Sequence, residues 1–75
     1  MKTDRQFDAK GLRCPLPILK LSKFFKEMTR GEIMEITADD KAFEPDVKAW
    51  CKKTGNAIIE IKKEGGNTVA FIRKG

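Results

Sequence analysis

The sequence has no histidine and no tyrosine, and only one tryptophan, two cysteines and three prolines in 75 residues. Without histidine there can be no Cys–His nucleophile pair. Two cysteines alone fall short of a typical structural zinc site, so no metal is expected. Cys14 and Cys51 stand far apart, so the Cys-x-x-Cys spacing of thioredoxin-type dithiol exchange is also missing. No apolar run approaches the ~18 residues of a membrane-spanning helix. The start, Met1-Lys2-Thr3-Asp4-Arg5-Gln6, is polar and shows no secretory h-region. There is no Gly-rich phosphate loop, no aromatic–basic cluster and no low-complexity basic tail, so direct nucleic-acid binding is not supported. The expectation is a cytoplasmic chain with reduced thiols, no cofactor and no membrane contact.

What is present points to a small module. Seventy-five residues make one domain, 1–75, without internal repeat or linker. A chain of this size buries only roughly 60% of its unfolded surface. Its core leaves no room for a deep substrate pocket, which favours a surface site, a carrier or a binding module. Sixteen Lys and Arg against 11 Asp and Glu give a net charge of +5. That charge fits either a solvated basic surface or attraction to an acidic partner.

Along the chain, residues 1–5 read as a frayed start and Gln6–Ala9 as a short strand with Phe7 turned inward. Gly11 then permits a tight turn. The first helix is expected from Pro15 to Met28, because proline suits the first helical position. Cys14 is then the N-cap and Pro17 the third helical residue. Helical phase puts Ile18, Leu21, Phe24, Phe25 and Met28 on the core face. Leu16 and Leu19 fall near the opposite face, beside Lys20, Lys23 and Lys26. Either a loop or the sheet edge covers these leucines, or they form an exposed docking patch ringed by lysines.

Glu32–Ala38 reads as a strand. Asp39-Asp40 ends it and helps to start the next helix. That helix is expected from Pro45 to Thr54, closed by Gly55, with Val47, Trp50, Cys51 and Thr54 on one face. Cys51 then packs as a small hydrophobe. Ala57–Lys63 and Thr68–Arg73 form a hairpin around Gly65-Gly66-Asn67. The order β-α-β-α-β-β implies a two-layer α/β sandwich, a mixed four-stranded sheet with both helices on one face.

Chemistry converges on Cys14. It precedes a helix N-terminus, whose aligned peptide dipoles favour an anion. Lys10 and Arg13 are close in sequence and add positive potential. Pro15 and Pro17 remove two N–H donors, so the expected thiol is only moderately activated. With no base to complete a catalytic cycle, such a sulfur suits accepting a group from one protein and passing it to another.

The run Asp8-Ala9-Lys10-Gly11-Leu12-Arg13-Cys14-Pro15-Leu16-Pro17 resembles the signature of the TusA/SirA-like family of small sulfur-carrier proteins, marked by Cys-Pro-x-Pro. Gly31-Glu32, Ala38-Asp39-Asp40, Trp50-Cys51 and Ile72–Gly75 also sit in family-like places, so the resemblance covers nearly the whole chain. It implies the same two-layer fold and a persulfide on Cys14, with Pro15 and Pro17 as positioning residues. It implies a cysteine desulfurase or a rhodanese as sulfur donor and a DsrE-like protein or another acceptor. The relay would serve tRNA 2-thiouridine formation, sulfur oxidation or molybdenum-cofactor sulfur supply. On this reading the chain is a sulfurtransferase-type carrier that works with partner enzymes and is not an independent catalyst; a monomer is expected. Beyond the motif, the turn and helical phase alone lead to the expectation that Gly11 supplies the turn and that Lys10, Arg13, Leu16, Leu19, Lys20 and Lys23 serve activation or docking. Two alternatives are a regulatory or RNA-binding module using the basic surface, and a redox sensor using Cys14 with Cys51.

Overall fold

The computed structural model describes residues 3–75 and runs β1 (Arg5–Asp8), α1 (Leu16–Lys26), β2 (Ile33–Ala38), α2 (Phe43–Thr54), β3 (Ala57–Glu64) and β4 (Asn67–Arg73). The expected frayed start falls partly on residues 1–2, which lie outside the described residues; Arg5 already belongs to β1. The strands form one sheet in the order β1-β2-β4-β3, parallel between β1 and β2 and antiparallel elsewhere. This is the mixed four-stranded α/β sandwich that the sequence pattern implies.

The alternation in β2 sets the layers. Met34, Ile36 and Ala38 are buried, while Ile33, Glu35 and Thr37 are half-buried. Opposite them in β4 stand Ile72, Ala70 and Thr68. The inward residues of both strands meet Leu21, Phe25 and Met28 on the α1 side and Phe43, Val47 and Cys51 from α2 in one core. Fully burying a side chain such as Leu21 contributes roughly 1.5–3 kcal/mol. On the other face of the sheet Phe71 lies beneath the Lys62 ammonium, 5.6 Å from its ring centroid.

β3 and β4 are joined by Gly65 and Gly66, both at positive φ (51° and 87°). A two-residue connection with both central φ positive matches the twist of a hairpin. Asn67 belongs to β4 rather than to the turn. A register shift between Ile58 and Glu60 leaves Ile59 without a partner in β4, and Ile59 is exposed.

Helix boundaries differ from the sequence pattern in three places, one of them the end of α1, which closes at Lys26 with Glu27 as C-cap, two residues before Met28. α1 begins at Leu16 with Pro15 as N-cap, so Cys14 stands one residue before the cap and Pro17 is the second helical residue. The N-cap contributes no side-chain hydrogen bond. α2 begins at Phe43, two residues before Pro45, because a proline is tolerated throughout the first turn, where N–H groups lack intrahelical partners. Gly55 closes α2, its N–H donating to the Cys51 carbonyl at 2.9 Å.

Two expected core positions are also corrected. Phe24 is 39% exposed. It lies on the flank of α1 toward β1, an edge strand of four residues too short to cover it, and packs on Phe7 with ring centroids 4.9 Å apart. Thr54 is exposed and donates its hydroxyl to the Trp50 carbonyl at 2.7 Å. Trp50 itself is half-buried and meets Phe25 edge-on at 5.0 Å.

β1 and β2 are parallel, so the loops leaving them emerge at the same end of the sheet. One loop carries Cys14 and the other carries Asp39 and Asp40. That end is where the candidate site lies.

Candidate functional site around Cys14

The loop from Ala9 to Pro15 is held by hydrogen bonds from both sides. Ala9 N–H donates to the Thr37 carbonyl at 2.7 Å, which continues the parallel pairing. Asp8 Oδ1 accepts the Lys10 N–H at 2.9 Å, and the Leu12 N–H returns to the Ala9 carbonyl at 3.1 Å. Gly11 sits at φ +87°, a conformation that L side chains rarely adopt. Its N–H donates to Asp39 Oδ1 at 3.0 Å. The Cys14 N–H donates to Asp40 Oδ2 at 2.7 Å. The two aspartates at the end of β2 thus fasten the cysteine loop by its backbone. Asp40 also starts α2 as expected: its carbonyl accepts the Phe43 N–H at 3.0 Å and its Oδ1 accepts the Ala42 N–H at 3.4 Å.

Cys14 is exposed, and the peptide bond to Pro15 is cis. Its Sγ donates to Asp46 Oδ2 at 2.8 Å. Asp46 lies in the first turn of α2, where the helix dipole favours a carboxylate. The sulfur therefore sits between the starts of two helices, and the nearest full charge is negative. The hydrogen bond to Asp46 raises the Cys14 pKa above its ordinary value, with smaller upward contributions from desolvation and from the charges of Asp46 and Asp40. This corrects the expectation of a moderately activated thiol. The reason is proximity: a carboxylate in hydrogen-bond contact outweighs a dipole one residue removed and two exposed cations, one of which lies by Asp8.

The remaining candidate residues fall into two groups. Pro17 is fully buried and anchors the start of α1, while Pro15 is exposed. Leu16 and Leu19 are 45% and 54% exposed, so neither a loop nor the sheet edge covers them. Together with Lys20, Ser22, Lys23 and Lys26 they line an open groove of about 310 Å³. Lys10 does not join the thiol; it lies 3.9 Å from Asp8. It meets Lys20 and Lys23 around a second groove of about 460 Å³, floored by Phe7, Leu12 and Phe24. Arg13 is exposed beside the cysteine.

Three site residues were missed as such in the sequence. The sequence pattern reads Asp39 and Asp40 as a loop that ends β2 and helps to start α2, whereas their carboxylates also hold Gly11 and Cys14. Asp46 carries no local signal, since its partner lies 32 positions away. Its place near a helix start, next to Pro45, was the one available hint.

The family model described as "Sulfurtransferase TusA" matches residues 5–74. The chain belongs to the TusA family. A TusA-family relative over its whole length is the putative sulfur carrier protein YrkI of Bacillus subtilis, 41% identical, with all of both chains covered. The sulfur carrier protein TusA of Allochromatium vinosum is 41% identical over 95% of this chain and 93% of its own. The putative sulfur carrier protein YrkF of B. subtilis is 44% identical, and there this chain spans only 40% of the relative's length. A relative in Aquifex aeolicus is likewise matched over 38% of its length. Among solved structures, the SirA-like protein of Desulfitobacterium hafniense shares the TusA-family fold with a TM-score of 0.83, at 22% identity and with 95% of this chain and 97% of that one covered. All four of these curated relatives carry sulfur-carrier names, three of them as putative. No helix among the described residues is long and apolar enough to cross a membrane.

Proposed function

We propose that the protein accepts a sulfane sulfur on Cys14 as a persulfide and passes it to a partner protein. The observation that carries this reading is the exposure of Cys14 on a loop fixed at three backbone positions, within the Cys14-Pro15-Leu16-Pro17 motif. An exposed sulfur can enter a partner's active site, and the fixed loop limits where it points.

The chemistry is exchange at sulfur. Cys14 Sγ attacks the terminal sulfur of a donor persulfide as its proton departs. The new S–S bond forms as the donor's S–S bond breaks, and the electron pair leaves on the donor's sulfur, which takes up a proton. The transfer needs no outside oxidant or reductant. Delivery to the acceptor repeats the exchange with Cys14 as the leaving thiolate.

The resemblance to the family supports a cysteine desulfurase or a rhodanese as donor and a DsrE-like protein as acceptor. It fits a relay to tRNA 2-thiouridine, to sulfur oxidation or to the molybdenum cofactor, in the cytoplasm. Leu16 and Leu19, ringed by Lys20 and Lys23, are the docking surface on this reading. Incubation with a desulfurase and cysteine, or with polysulfide, is expected to add about 32 Da, one sulfur atom, to the intact mass. The adduct is expected to vanish on reduction and to be absent in Cys14→Ser. An adduct that persists in Cys14→Ser overturns the assignment.

A further inference from the structure

Asp46 is not engaged by its own helix. α2 has Ala42 as N-cap with no side-chain cap bond, and the Asp46 N–H is satisfied by the Ala42 carbonyl at 3.1 Å. The contact of its carboxylate with Cys14 Sγ at 2.8 Å reaches across from another element to an exposed sulfur. The sulfur is brought there by backbone bonds to Asp39 and Asp40. Both ends of the contact are thus set by the fold.

We infer that Asp46 is a positioning residue of the carrier cysteine: its carboxylate holds the free thiol protonated and turned toward α2, and repels the loaded persulfide away from it. This rests on the reading of Cys14 as the carrier. In the empty protein an S–H donor meets a carboxylate acceptor, and the two attract. Once the terminal sulfur is added, the group is an anion extended by one S–S bond of about 2.05 Å. It has no proton to donate and faces the same negative charge, so it swings to solvent, where an acceptor can reach it. One carboxylate therefore favours a quiet empty state and a presented loaded state. Loading requires that the Sγ proton leave; a cation of the donor placed at Asp46 removes both the acceptor and the repulsion, and the proton passes to solvent or to the departing donor thiolate.

The charged groups acting on the thiol are Asp46 from α2 and Asp40 from the turn before it. On its own loop Lys10 and Arg13 are exposed, and the Lys10 ammonium lies by Asp8. A raised thiol pKa keeps the nucleophilic thiolate scarce at neutral pH.

The test is the pH profile of alkylation by iodoacetamide, read at Cys14 by peptide mass, in the wild type, Asp46→Asn and Asp40→Asn. Asp46→Asn retains size and shape but not charge. It is expected to displace the profile to lower pH and to speed alkylation at pH 8 at least about threefold, with a smaller displacement in Asp40→Asn. A structural role alone would not displace the profile in this direction. Superimposed profiles, or slower alkylation in folded Asp46→Asn, overturn the inference. Should the variant not fold, wild-type protein in buffer is compared with the same protein in urea: slower reaction at pH 8 in the native state supports the inference, and equal or faster reaction overturns it. Persulfide loading is followed by mass in parallel. A displaced profile without loading removes the carrier reading and leaves Asp46 controlling the thiol. Loading with superimposed profiles removes only the role of Asp46.

Discussion

At Cys14 a neighbouring carboxylate raises the thiol pKa, whereas at Cys51 burial does so, to about 11 from an ordinary 9.0. Cys51 is only 3% exposed and packs in the core beside Val47 and Phe43. Its protonated form is favoured in the folded state. The unfolded thiol loses its proton first, near pH 9, so the stabilisation is complete below that pH and is lost as pH rises toward about 11. Urea midpoints are expected to fall between pH 9 and 11 in the wild type, and to fall less in Cys51→Ala. A slope unchanged by the substitution would show that Cys51 does not control it. The same burial sets Cys51 apart from a redox role with Cys14: in the native protein an alkylating reagent is expected to mark Cys14 and leave Cys51 unmodified.

At the scale of the element, α1 carries two unlike faces. Pro17, Leu21 and Phe25 are buried at successive i+4 steps, while Leu16 and Leu19 look outward. Leu21→Ala is expected to cost about 2–5 kcal/mol in chemical denaturation, because it empties a filled core site. Leu16→Asp or Leu19→Asp is expected to change stability by less than about 1 kcal/mol, yet to weaken capture of a desulfurase or acceptor in a binding titration. Unfolding by either aspartate would remove the docking role. Much of this helix was legible because apolar periodicity and two prolines are local signals. Its start was misplaced by one residue because Pro15 fits both the cap and the first helical position. Phe24 was misassigned because phase describes the helix alone, and its exposure depends on how little of it β1 covers. The contact between Cys14 and Asp46 was not legible at all, since it depends on how the starts of two helices meet.

For the whole molecule the charge of +5 is spread widely, but Lys20 and Lys23 border both grooves of α1. Acidic partners would be drawn to this side before contact, and salt screens such steering. Association with an acidic partner is expected to slow as ionic strength rises while dissociation changes less, measured by stopped flow. Dissociation alone responding to salt would mean that the charges pair within the contact and do not steer the encounter. The fold order was readable because the chain is short and each element has its own composition. The parallel β1–β2 pairing, which brings the two loops to one end, follows from topology rather than from any residue pattern.

That pairing has a further consequence. The register Asp8↔Thr37 fixes how far the cysteine loop extends past the sheet relative to the Asp39–Asp40 loop. A strand advances about 3.3 Å per residue, so a slip of β1 that keeps Phe7 inward moves the loop by about 7 Å. The sulfur would then lose Asp46 and both backbone tethers together. The chemistry at Cys14 is therefore gauged by a four-residue strand at the edge of the sheet, and local opening of β1 would surface as a change in thiol reactivity while the rest of the fold stays closed.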